Sequence, residues 1–273
     1  AQSGVAISYI SLGNQSAARE AISELLTRYS QSPDLPAALG DIAERYRDCR
    51  MYEEALKYHK YCLSRWSDDR DNVFWSLQGV AISNVMLGNF ADAEAALTTL
   101  LAQFVDYNDI APAVLVVADA YYESGKAAKA LELHRFALDH WPDADCSVWT
   151  YSGLARAQIV LGRDADAQTT IAAMLSKCAA HPDLPAAVLE VAEQYHKNAL
   201  AAEANALDAT AAAALRRAVE LYQVVADDFP PSADITPTAC SLAGDCFRKL
   251  GDYQKSAAYY QKPVSYPHLT LPT

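Results

Sequence analysis

Gly88, Gly125 and Gly162 are evenly spaced, at an interval of 37 in the numbering (125 − 88 and 162 − 125), and each closes an amphipathic run. Glycine tolerates the positive φ that ends a helix, so an evenly spaced set of such stops dictates a chain of short helices. Gly13 precedes Gly88 by two such periods to within one position, with Arg50 in the intermediate slot. Gly251 follows Gly162 by two periods and an insertion. Leucine precedes the glycine at Leu12, Leu87, Leu161 and Leu250, and the capping residues Asn14, Asn89 and Asp252 follow it. Residues 111–142 show the unit in full: a small-residue run to Tyr121, a stop at Gly125, a second run through Ala130, His134 and Ala137, and an end at Trp141-Pro142. A helix, a tight turn and a second helix repeated in this way make an all-α repeat protein, in which no hairpin buries its apolar face alone.

In chain order the predicted hairpins fall near 1–29, 34–67, 72–105, 109–142, 146–180, 183–230 and 234–262. A rhythm of two hairpins overlies the single period. Asp34-Leu-Pro36 and Asp183-Leu-Pro185 open the second and sixth hairpins, with Asp109 and Pro112 opening the fourth. Proline is well tolerated in a helix's first turn, where its missing N–H has no partner to lose. Trp75 and Trp149, two periods apart, open the third and fifth. The sixth hairpin holds the insertion: between Ala199 and Ala214 most positions are alanine, so two lengthened helices meeting near Asn205 to Asp208 are expected. The tail, residues 263–273, has prolines at 263, 267 and 272 and no helical period. It resembles a translated sequencing adapter. With a start inside a helix, this reads as a metagenomic gene fragment truncated at both ends.

Charge narrows the partners. The net charge of −12 and pI near 4.9 argue against a nucleic-acid partner, which needs clustered Lys and Arg. No apolar run approaches the ~18 residues that span a bilayer. The six cysteines have no disulfide-framework spacing and read as small core thiols. Compartment stays open.

The residues also carry a family resemblance. Ala118, Tyr121, Ala130, Ala137 and Pro142 follow the small-and-aromatic pattern of the tetratricopeptide repeat, with His134 where an aromatic is usual. Ala43, Tyr46, Ala55, His59 and Cys62 repeat it, as do Ala192, Tyr195, Ala218, Tyr222 and Pro230, and Ala6, Tyr9 and Ala18. The third and fifth hairpins are looser, with Asn84 and Gln158 in the aromatic slot. The resemblance covers about 1–262 and implies a right-handed α-solenoid of about seven tetratricopeptide-like hairpins. The period exceeds the family's ~34 residues, a surplus expected in the connections between hairpins.

The resemblance further implies that the first helix of each hairpin lines a concave, peptide-binding face. Carried over, the candidates are Glu44, Arg47, Trp75, Gln78, Asp119, Tyr122, Trp149, Arg156, Glu193, His196, Asp245 and Arg248. Their charges alternate in sign, so no single-sign ligand is implied. The basic and Asn positions with which some members clamp a C-terminal carboxylate are not reproduced. Trp75 and Trp149 are the most attractive anchors, because aromatics dominate interface hot spots; the alternative is that they pack against the adjacent repeat. His59 and His134 read as core imidazoles. Cys178-Ala-Ala-His181, with His140 and Cys146 on the preceding connection, is a weak zinc candidate. No cofactor is implied, and no catalytic motif is present. The expected function is a non-catalytic scaffold for a protein or peptide partner. Alternatives are the recognition arm of a larger enzyme and a bacterial envelope-assembly factor. Self-association through exposed terminal repeats is a further expectation.

Overall fold

The structure, a computed structural model, describes residues 2–204 and 208–262. The expected junction near Asn205 to Asp208 falls largely, and the tail 263–273 wholly, outside the described residues. The described residues hold fourteen α-helices and no strand. In order these are α1 (Gln2–Ser11), α2 (Gln15–Arg28), α3 (Leu35–Asp48), α4 (Tyr52–Arg65), α5 (Arg70–Met86), α6 (Phe90–Phe104) and α7 (Ile110–Glu123). There follow α8 (Ala127–His140), α9 (Ser147–Val160), α10 (Asp164–Lys177), α11 (Leu184–Ala204), α12 (Asp208–Gln223), α13 (Ile235–Lys249) and α14 (Tyr253–Tyr260). A π-helical turn, Val224–Asp228, prolongs α12. None of these helices is long and apolar enough to cross a membrane.

The turn signal works through backbone hydrogen bonds. Gly88 N–H donates to the Val85 carbonyl at 3.0 Å, and Asn89 N–H reaches back to the Asn84 carbonyl at 2.8 Å. This pair satisfies carbonyls that the end of a helix leaves open, and it demands positive φ at the glycine. The same pair recurs at Gly13, Gly125, Gly162 and Gly251, whose φ values run from 71° to 79°. The long-range acceptor is each time the residue of the aromatic slot: Tyr9, Asn84, Tyr121, Gln158 and Phe247. Asn14 and Asp252 cap the following helix through their side chains, but Asn89 does not; its amide instead donates to Asn84 Oδ1 at 3.3 Å.

Arg50 holds the glycine slot of the second hairpin at φ 58°, with the same two hydrogen bonds. A side chain there meets its own backbone, at a cost of about 1–2 kcal/mol. Arg50→Gly relieves it, but glycine gives back part of the gain through the entropy of the unfolded chain. The net expectation is a stabilisation of about 0.5–1 kcal/mol. Urea denaturation checks it, and an unchanged or lowered midpoint counts against the strain.

The helices gather into two compact units, residues 1–126 and 127–273, with the division in sequence between α7 and α8. In the first unit α1, α3, α5 and α7 pack in succession, and the second helices pack beside them. In the second unit α9, α11 and α13 form the corresponding row. Alanines fill the crossing points. Ala43, Ala55, Ala118, Ala130, Ala155 and Ala167 are all fully buried, because a larger side chain would hold the helix axes apart. Tyr46 is completely buried and stacks on Tyr58 at 5.7 Å.

α11 runs 21 residues where α9 and α10 run 14, and α12 with its π-turn spans residues 208–228. The longer α11 is anchored along its length. Asn198 donates to the Ile159 carbonyl at 3.1 Å, and Lys249 on α13 pairs with Glu203 at 2.6 Å. The connections between hairpins, such as Tyr29–Asp34 and Cys178–Asp183, are longer than the tight turns within them. All six cysteines are free thiols, with Cys62, Cys178, Cys240 and Cys246 buried.

Candidate functional site

The first unit contains a groove of about 710 Å³ between α3 and α5. α3 contributes one stripe of its surface, running from Pro36 and Ala37 through Gly40 and Asp41 to Glu44 and Arg47. Their spacing of three and four keeps them on one helical face. α5 faces them with Asp71, Asn72, Trp75, Ser76 and Gln78; Asp69, its N-cap, and Val116 of α7 complete the wall.

Local structure holds α5 in place. Asp69 accepts from Asn72 N–H at 3.0 Å, and the Asn72 amide donates to the carbonyls of Cys62 and Trp66, both at 3.2 Å, at the end of α4. Phe74, fully buried, packs edge-on to Trp75 at 4.8 Å and against Phe104 and Tyr107. Tyr107 OH donates to Asp71. Trp75 is thereby buttressed from behind while 48% of its surface stays exposed.

His59 lies at the groove floor, 2% exposed. Its ring sits on Gly79, where a Cβ would come within 2.2 Å of Nε2. His134 repeats the arrangement in the second unit: it is fully buried, and a Cβ at Gly153 would come within 2.3 Å of its Cε1 and Nε2. Neither ring nitrogen of His59 makes a hydrogen bond, although Nε2 stands 3.4 Å from Glu44 Oε1. Glu44 also pairs with Arg47.

Four of the residues expected from sequence therefore converge: Glu44, Arg47, Trp75 and Gln78. Asp119 and Tyr122, on α7, are half-buried and not among the residues that line this groove; α7 contributes Val116. In the second unit most of the expected residues are engaged with one another or with neighbouring elements, and Glu193 is half-buried on α11. Arg156 pairs with Glu190 at 2.8 Å. Trp149 is half-buried, and its Nε1 donates to Asp183 at 3.2 Å. Asp245 accepts from Tyr260 OH at 2.8 Å and from Arg248 at 3.1 Å, which hold its carboxyl below the usual range. His196 is half-buried and 3.5 Å from Tyr222 OH; burial lowers its pKa, Lys249 adding to the effect while Asp245, Glu203 and Glu193 oppose it.

Asp41, Asp69 and Asp71 were not among the expected residues, and they change the electrostatics. With Glu44 they set four carboxylates against one guanidinium, Arg47, so the alternation of sign read from the sequence gives way here to an acidic wall. The signal was local: Asp41 lies one helical turn before Glu44, and Asp69 and Asp71 flank the start of the helix that carries Trp75.

The four candidate zinc ligands have other neighbours. His140 stacks on Phe136, and its Nδ1 is 2.9 Å from the Phe136 carbonyl. His181 Nδ1 accepts from Asp183 N–H at 3.1 Å, and Cys178 Sγ is 3.9 Å from Ser147 Oγ. Burial raises the pKa of Cys146, against thiolate formation. Among the described residues no group of three or more His, Cys, Asp or Glu side chains is arranged to hold a metal.

No protein-family model matches the sequence, and no curated protein matches it. Solved structures do. A tetratricopeptide repeat protein from Parabacteroides merdae aligns with 94% of this chain and 88% of its own at 16% identity and a TM-score of 0.53. The fold is that of tetratricopeptide repeats. The C-terminal part of a tetratricopeptide repeat-containing protein from Cytophaga hutchinsonii also matches (TM-score 0.49, 14% identity, 93% and 91% of the two chains). So does BtubC from P. vanneervenii (TM-score 0.46, 18% identity, 78% and 87%). The tetratricopeptide fold accounts for the groove's position: its two walls are the first helices of successive hairpins.

Proposed function

We propose that this tetratricopeptide-like chain is a non-catalytic scaffold that takes an extended segment of a partner protein in the α3–α5 groove. The observation that carries this reading is Trp75, a large aromatic ring held half in solvent at the wall of a groove. A ring kept exposed by buried neighbours is fitted to be covered by something else, and such anchors dominate binding energy. The small residues opposite it, Ala37 and Gly40, leave room for a backbone to approach; a Cβ at Gly40 would meet nothing within 4 Å.

The test begins with selection of random dodecapeptides on the full chain by phage display, followed by titration of individual selected peptides. Trp75→Ala is expected to weaken a selected peptide by about thirtyfold, the loss of one interface hot spot. Trp149→Ala, whose indole is tied to Asp183, is expected to lower thermal stability and leave affinity within about twofold. Selected peptides that bind the Trp75→Ala protein as tightly as the parent would move the site elsewhere.

A further inference from the structure

The groove's lining says more than that a peptide fits. Asp41 is exposed on α3 and, among the described residues, makes no hydrogen bond or ion pair. Asp69 and Asp71 accept hydrogen bonds from the neutral donors Asn72 N–H and Tyr107 OH, and Arg70, between them in sequence, lies over the rings of Phe104 and Tyr107 and does not line the groove. Among the described residues, Glu44 is the one of the four that pairs with a basic side chain, Arg47. The wall thus carries an excess of negative charge beside an exposed indole.

A second, independent feature lies beneath it. His59 is almost wholly buried at the groove floor, yet neither of its ring nitrogens has a hydrogen-bond partner. A buried polar atom left so is costly unless something supplies the missing bond. A neutral ring has one accepting and one donating nitrogen whatever its tautomer, so a donor on the occupant would supply one of the two missing bonds. Nε2 stands 3.4 Å from Glu44 Oε1; in the tautomer with its proton on Nδ1, the two present acceptors side by side.

We infer that the occupant of this groove is a lysine- or arginine-rich extended peptide, an inference that rests on the groove reading above. Lysine ammonium and arginine guanidinium groups carry several donors and no acceptor, which suits Glu44 and His59. They also suit the face of Trp75, whose ring attracts cations. An acidic segment or a free C-terminal carboxylate would meet four carboxylates and find one guanidinium, already paired with Glu44. The charges outside the floor act chiefly on association and on choice of partner, so binding is expected to be salt-dependent.

The same dodecapeptide selection tests the inference. Selected sequences are expected to be enriched in Lys and Arg, and the Kd of a representative peptide should rise steeply between about 0.05 M and about 0.5 M salt. Asp41→Lys, at a position with no partner to lose, is expected to weaken that peptide about tenfold with an unchanged melting temperature. Glu20→Lys, an equal charge change on an exposed face of α2, separates recognition in the groove from attraction to an acidic protein; it should leave affinity within about twofold. Equal losses from the two reversals would overturn the inference. So would Trp75-dependent peptides that are acidic or uncharged and indifferent to Asp41→Lys, a result that leaves the groove reading standing. Basic peptides indifferent to Trp75→Ala would remove both.

Discussion

Replacing Gly153 by alanine is expected to destabilise the second unit by about 2 kcal/mol, although alanine is the better helix former. Two effects oppose each other. In the middle of α9, Gly→Ala should gain up to about 1 kcal/mol from helix propensity. The new methyl carbon, however, would stand 2.3 Å from Cε1 and Nε2 of His134, far inside contact distance. The imidazole cannot swing away into water, since it is fully buried. Forcing atoms into a packed core costs about 1–3 kcal/mol, and here it must overcome the propensity gain as well. A double-mutant cycle decides the cause. In a His134→Ala background the clash disappears, so the second substitution should become neutral or stabilising. A cost that persists there, measured by urea unfolding, would sink the steric explanation.

Acidification is expected to weaken the same unit well before its carboxylates titrate. Burial, with Arg156 adding to it, pushes the pKa of His134 down to about 3. In the unfolded chain the ring titrates near ~6.5. Above that pH both states are neutral and His134 contributes no pH dependence. As pH falls below it the unfolded chain takes up a proton that the folded unit refuses, so stability drops by up to about 1.4 kcal/mol per pH unit until about pH 3. Asp227, Asp245 and Asp252 have lowered pKa values and act only below the ordinary carboxylate range, so the interval from pH 7 to pH 5 isolates histidine. His134→Phe, which restores the usual aromatic, should flatten most of the slope there. His196, also lowered by burial, is expected to supply the remainder. An identical pH profile for parent and variant would exclude the buried imidazole as the source.

These histidines mark where the sequence was informative and where it fell silent. The turns were legible because one backbone conformation admits few residues, so Gly13, Gly88, Gly125, Gly162 and Gly251 announce themselves at regular intervals. The helix-crossing alanines were legible for a similar reason: close approach excludes larger side chains. His59 and His134 could be read as core residues from their slot in the second helix. Their partners could not, because Gly79 and Gly153 lie in the following hairpins and were passed over inside apolar runs. A signal existed: a glycine in mid-helix carries a cost that close packing repays, and these two stand two periods apart, like Trp75 and Trp149. The lining of the candidate groove was half legible. Carrying the first-helix positions across the repeats found Glu44, Arg47, Trp75 and Gln78. It missed Asp41, Asp69 and Asp71, because a pattern of one residue per turn ignores the neighbouring rows of the same face. It also treated Trp75 and Trp149 as equivalent, whereas a partner on the next connection, Asp183, engages only the second.

The histidine-on-glycine contacts join the last helix of one hairpin to the first helix of the next, α4 to α5 and α8 to α9. Hairpins of this chain are consequently not interchangeable beads. A graft cut between α4 and α5 would set an imidazole against whatever side chain the incoming helix carries, and only glycine leaves the space. Modules that exchange cleanly are those that carry a histidine and its glycine together, so recombination of this array, by an engineer or by a genome, should favour breakpoints that leave α4–α5 and α8–α9 intact.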